Sequence, residues 1–221
     1  MSKPKISSAI DLLIPSIDVI KNNLLTFFVL SVVPSLLSIL GTKRVENPTS
    51  FADIAKTITP LSLLGSLLAF LFFAPLIYTL VNTTKGKHVN LLEAFSKGYH
   101  YFFRLIGLLF IFATLMIVGF IFFIIPGIIV IRRYFLSFYY LVDQNMSIKD
   151  AMTKSAGITI QNSMAIYSVM GIMLIFGLFA SIPGVSAVIG YIFQFLYSVA
   201  PALRYQEMKQ VYDTKQSKNK K

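Results

Sequence analysis

Long apolar stretches, separated by short polar ones, set the plan of this chain. From Ser155 to Leu203 there is no Asp, Glu, Lys or Arg across 49 consecutive residues. As one helix, rising about 1.5 Å per residue, that stretch would measure roughly 74 Å, over twice the ~30 Å hydrocarbon core of a bilayer. It therefore reads as two spans and a turn. The same reasoning along the chain predicts six spans: Leu24–Leu40, Leu61–Val81, Leu105–Ile125, Gly127–Val142, Ser163–Ile182 and Gly184–Leu203. The runs are continuous rather than alternating, which argues against a β-barrel.

A second pattern lies inside the first. Shifted by 57 residues, the chain matches itself without gaps. Glu93-Ala94 falls on Asp150-Ala151, Lys97 on Lys154, and Ile125-Pro126-Gly127 on Ile182-Pro183-Gly184. Tyr134, Phe138, Tyr140 and Val142 fall on Tyr191, Phe195, Tyr197 and Val199. Each unit opens with a polar residue three before an acid, Asn90 before Glu93 and Ser147 before Asp150, the signature of a capped helix start. The unit reads as an amphipathic helix on the inner face, a span outward, a Pro-Gly turn and a span back. The N-terminal third looks like a diverged copy. It has an amphipathic segment around Ile10–Ile20, then two spans joined by a longer loop with Pro48 and a short helix over Phe51–Ile58. The expected fold is all-α: six transmembrane helices as three tandem parallel hairpins linked by cytoplasmic-face amphipathic helices. Residues 1–208 form that single domain, and 209–221 a basic, disordered cytoplasmic tail. Pro126, Gly127, Pro183 and Gly184 are the expected hairpin turns.

Charge orients the spans. With a cytoplasmic N-terminus, 15 of the 20 Lys and Arg residues fall on the inner side and three in the first outer loop. The remaining two are Arg132 and Arg133. That bias predicts a multi-pass protein of a bacterial inner or plasma membrane with both termini in the cytoplasm. The net charge of +11 follows the inner face, as topology requires, and does not point to nucleic acid. The first apolar stretch is broken by Asp11, Pro15 and Asp18 and does not read as a secretory signal.

Little in the chain points to catalysis. There is no cysteine, hence no disulfide and no thiolate chemistry. No Gly-rich phosphate loop, nucleophile elbow or carboxylate pair is present. His88 and His100 stand 12 apart without a carboxylate cluster to make them a metal pair. None of the nine acids lies at mid-span, where an ion-coupled carrier usually keeps one. Arg132 and Arg133 stand out instead. Counted from Pro126-Gly127, they lie roughly 8 Å down the returning helix. They point about 100° apart, one toward outer headgroups and one toward the bundle. A guanidinium matches a phosphate with two parallel hydrogen bonds, so the pair is the candidate lipid- or anion-binding site. A structural role, pairing with Glu46 or Asp53 or with a carbonyl freed by Pro126, is the alternative. Pro34 and Pro75 mark kinks or packing within spans, and Gly171, Gly177, Gly184 and Gly190 are expected close helix contacts.

The segment IIPGIIVIRRYFLSFYYLVDQNMSIKDAMTKS resembles the glycerophosphoryl diester phosphodiesterase membrane-domain family and related uncharacterised bacterial multi-span inner-membrane proteins. The likeness rests on Pro126-Gly127, an arginine at 132 or 133, Asp143, and Ala151 to Ser155. It implies a multi-span membrane protein without the soluble catalytic module, and no catalytic residues carry over. The function expected is non-enzymatic handling or organising of lipids or other amphiphiles, in transport or membrane homeostasis, with anionic membrane lipids as partners and no cofactor or metal. The alternatives are an accessory or immunity-type subunit working with a membrane-protein partner or as a homo-oligomer, and, less favoured, a membrane enzyme.

Overall fold

The computed structural model describes residues 6–41, 59–182 and 184–219, and these are helical with short connections. The expected short helix over 51–58, Pro48, Glu46, Asp53 and the turn residue Pro183 lie outside the described residues. A 3₁₀ turn, Ile10–Leu12, leads into α1 (Leu13–Asn22). Then come α2 (Leu24–Phe27), a π turn at Phe28–Val32, and α3 (Val33–Gly41). Helix α4 is Pro60–Thr83, α5 Leu91–Gly98 and α6 Phe102–Phe122. Helices α7 (Ile124–Tyr134) and α8 (Ser137–Asp143) form the return, and α9 (Ile148–Gln161) follows. Helices α10 (Ser163–Ser181), α11 (Val185–Leu196) and α12 (Ala200–Asn219) complete the chain.

Among the described residues, four helices are long and apolar enough to cross a membrane: Pro60–Thr83, Leu91–Phe122, Ile124–Asp143 and Ser163–Ser181. A fifth arises if the bent pair Ile10–Asn22 and Leu24–Ser38 counts as one span, making four or five where the sequence predicts six. The last expected span is divided, because α11 ends at Leu196 and a turn intervenes before Ala200. The structure is that of a multi-pass membrane protein.

Local chemistry explains where helices start and break. Asn90 and Ser147, 57 residues apart, cap α5 and α9 by accepting the amide N–H of Glu93 (2.8 Å) and Asp150 (3.2 Å). Asn23 and Asn162 leave helical geometry at the heads of the next helices, with φ −135° and −131°. Each turns its side-chain amide back to the carbonyl four residues earlier, Val19 or Ile158. At Asn23 the two helices meet at 99°. The opened backbone there is stitched to the α4–α5 connection, where Asn23 accepts from the Val89 amide and Thr26 donates to its carbonyl. The corresponding place in the middle unit holds Leu105. There the expected separate amphipathic helix is instead continuous with the span, a 32-residue helix about 48 Å long.

Packing is tightest within three sequential pairs, α3–α4, α6–α7 and α10–α11. A Cβ on Gly119 would stand 2.9 Å from the Cα of Gly127, and one on Gly190 would stand 2.3 Å from the Ala180 amide nitrogen. Gly171 and Gly177, expected at such contacts, have open space instead. The chain reverses before α7 at Phe123, whose backbone is extended, and not at Pro126-Gly127. Pro126 lies in the first turn of α7, where no N–H is needed from it. Gly127 is there for the close approach to α6. Gly184 does occupy a turn, with φ +98° ahead of α11.

The core is concentrated at one end. Leu136 just ahead of α8, Tyr140 and Leu141 of α8, Ile158 of α9, Val81 of α4, and Ala202, Tyr205 and Met208 of α12 are buried together. Toward the Phe123 end, Ile121 through Ile125 are exposed, as suits a surface bathed in lipid tails. At the buried end, the Asp143 carboxylate is wholly enclosed. Lys209 lies 2.6 Å from one oxygen, Tyr205 donates its hydroxyl to the same oxygen, and Lys85 pairs with the other. Burial first, and then the hydrogen bond to Asp143, hold the Tyr205 hydroxyl well above the usual tyrosine range, so it stays a donor. This cluster corrects the expected disordered tail. With Met208 buried and Lys209 bound to Asp143, α12 continues to Asn219.

Two predictions follow from the packing. Gly119→Ala, driven into backbone that cannot yield, lowers stability by about 1–3 kcal/mol, whereas Gly157→Ala, which meets nothing within 4 Å, is neutral or stabilising by up to about 1 kcal/mol. Melting temperatures in detergent report both. Asp143→Asn removes the counter-charge of two lysines that are a quarter to a third exposed, so the loss is about 1–3 kcal/mol, below that of a fully buried pair. Limited trypsin digestion then cuts sooner at Lys209. Lys97→Ala, which breaks an exposed i,i+4 pair with Glu93, leaves both readings at the wild-type level.

Candidate functional site

A cation in the middle of an apolar helix is costly, roughly 2.5–3.5 kcal/mol on insertion scales, and is retained where something solvates it. Because the return helix begins at Ile124, Arg132 and Arg133 are the ninth and tenth of the twenty residues Ile124–Asp143. They lie about 12–14 Å along it, nearer its middle than the sequence count from Gly127 suggests. Neither has an ion-pair partner among the described residues, and Glu46 and Asp53, the acids considered for them, lie outside that set.

The two side chains part company. Arg132 is half-buried and turns to α10, its guanidinium 5.9 Å from the Tyr167 ring centroid. Its Nε is buried without a hydrogen-bond partner. Arg133 is exposed, 5.8 Å from the ring of Tyr134. One facing the bundle and one facing out agrees with the angular argument. The exposed one does not reach for the Phe123 end, however. It lines a groove of about 630 Å³ between α6, α7 and α9.

The groove is built from the local sequence of α9. Small residues line one face of that helix, so it can lie close to α7. Ser155 donates to the Arg133 carbonyl at 2.8 Å and Thr159 approaches the same oxygen at 3.3 Å. Ile148 meets α6 at Gly107. The walls are apolar, with Ile111 from α6 and Ile148, Met152 and Ile160 from α9. Gly157 leaves the floor open, and Thr153 and Tyr134 add hydroxyls. Lys149, near the start of α9, supplies a second cation. Its volume falls within the ~300–1,000 Å³ of ordinary ligand sites. Two cations, no carboxylate and a hydrocarbon wall suit a ligand with an anionic head and an apolar body.

Sequence reasoning found Arg133 and missed Lys149, since nothing in the spacing from 133 to 149 shows that α9 folds back along α7. The Asp143 cluster was missed as well; the sequence marked Asp143 as the end of a span but gave no sign that Lys85 and Lys209 converge on it. Also unforeseen was Arg204, fully buried. It donates to the Ser7 carbonyl (2.9 Å) and pairs with Glu207 (2.7 Å), which ties the N-terminal segment to α12.

The comparisons with curated proteins and with solved structures each return no match. The comparison with family models does, over residues 52–186, from ahead of α4 to the start of α11. It bears on the likeness to uncharacterised multi-span proteins and not on the phosphodiesterase-associated domain. With more than half its length matched, the chain belongs to the Uncharacterised protein family (UPF0259).

Proposed function

We propose that this protein binds an anionic amphiphile, most simply a membrane phospholipid, in the Arg133–Lys149 groove, and that it holds or moves that molecule without transforming it. The observation that carries this reading is the pairing of two cations, without carboxylate partners among the described residues, in a cleft otherwise walled by isoleucine and methionine. An accessory subunit that worked only through its outer faces would have no need of such a cleft.

The topology we infer has six crossings as three hairpins, with both termini in the cytoplasm of a bacterial cell. In support are the charge distribution, the three sequential helix pairs, and the helix caps 57 residues apart at Asn90 and Ser147. In that frame α1 lies along the inner face and the Asp143 cluster is cytoplasmic, which places Lys149 near the anionic inner leaflet. A lysine there contributes about 1 kcal/mol of attraction.

Cysteine scanning of the cysteine-free chain tests the topology. Single cysteines at Ser7, Lys87 and Asn145 are expected to react with a membrane-impermeant maleimide only after the cell is opened, and labelling of any of them in intact cells contradicts the arrangement. Lipid mass spectrometry tests the binding. Wild-type protein is expected to retain phosphatidylglycerol or cardiolipin. Arg133→Gln lowers the retained amount about tenfold, equivalent to one charge-assisted contact of ~1.4 kcal/mol, at an unchanged yield of folded protein. Equal retention by wild type and Arg133→Gln removes the site.

A further inference from the structure

The groove joins two levels of the return helix. Lys149 is the second residue of α9, just past the Asp143 end of the return helix, whereas Arg133 is midway along that helix. Both cations line the same open cleft. A phospholipid crosses a bilayer slowly because its charged headgroup must leave water for hydrocarbon. A cation at the mouth of a groove and another at its middle offset that cost in two steps, while the tails remain in the lipid alongside. The hydroxyls of Thr153 and Tyr134 lie along the same cleft.

What lies beyond Arg133 matters as much. Arg132 is next in the chain and is turned toward α10, with a buried Nε that has no partner. From there to Phe123 the helix exposes Ile128, Ile129, Ile124 and Ile125, and no further ionic group flanks it among the described residues. In this far half Ile117 and Ile121 of α6 are exposed as well. An unpaired arginine at mid-depth draws water and headgroups inward and thins the bilayer around it. The polar half-path and the thinned apolar half together make a complete crossing.

We propose that this groove passes anionic phospholipids between the two leaflets, passively, with Lys149 receiving the headgroup and Arg133 holding it at the middle of the bilayer. The proposal rests on the binding reading above and goes beyond it, since a site that only stores a lipid would not need a cation at mid-depth.

The test uses the full chain in phosphatidylcholine vesicles carrying a trace of fluorescent phosphatidylglycerol, with dithionite added outside to bleach the exposed leaflet. Wild-type vesicles are expected to lose fluorescence beyond the level at which protein-free vesicles stop. Arg133→Gln slows that second phase about tenfold or more. Gly157→Leu does the same with both cations in place, because its side chain enters open groove space, and it favours the helix. Lys97→Ala leaves the rate unchanged. If wild-type vesicles protect as much fluorescence as empty ones, or if Gly157→Leu moves lipid as fast as wild type, the proposal is overturned. Protein that retains phosphatidylglycerol in the mass-spectrometric assay yet fails here overturns lipid passage alone, whereas failure in both assays overturns the binding reading with it.

Discussion

Asp143 ends an apolar helix with a carboxylate that no solvent reaches, and donors from two distant parts of the chain converge on it. Lys85 comes from the connection after α4, and Lys209 and Tyr205 from the last helix. A buried carboxylate without partners would cost several kcal/mol. Its presence therefore fixes where both of those segments must be. Lys154, which donates to Gln144 at 2.8 Å and lies 5.3 Å from the Tyr140 ring, brings α9 to the same place. Three distant parts of the chain, together with the helix that follows Asp143, are thus gathered at one end of the bundle, and the aromatic pair Tyr140–Tyr205, edge to face at 4.7 Å, packs beside the ion cluster.

That anchoring makes the two ends of the helix bundle unlike each other. At the Asp143 end, helices are held by ions, hydroxyls and a buried tyrosine cluster. At the Phe123 end they are held within each pair by close glycine contacts, and between pairs by little else, so apolar side chains face outward. A bilayer tolerates this, because lipid tails solvate exposed isoleucine and phenylalanine as well as a protein core does. Specific polar bonding gathers where water competes for it, and the far end is left free to accommodate lipid.

Much of the architecture was legible in the sequence, and what was not has a common cause. The capped starts at Asn90 and Ser147, the helix pairs and the departure of the two arginines in different directions all follow from local patterns. The position of the α6–α7 reversal did not, because Pro and Gly serve the first turn of a helix and a close contact as readily as they serve a turn. The continuation of α12 did not, because residues 209–219 look unstructured until Lys209 is given a buried partner. The groove was half legible. An arginine pair in an apolar run announces itself, but Lys149 joins Arg133 only through the packing of α9 on α7, a long-range event with no local signature.

In the 57-residue register, Arg132 and Arg133 correspond to Ile189 and Gly190, and the structure gives that difference a physical meaning. The third pair seals where Gly190, midway along α11, lies directly on the end of the α10 backbone at Ala180. No side chain of any size fits there. The second pair seals close to its reversal, at Gly119 and Gly127, and then lets α9 in alongside α7. The cleft at Arg133 therefore lies where the third pair has its seam. One hairpin is closed at that register position and carries glycine. The other is open and carries arginine. Charge and cavity thus occur together beside the second helix pair.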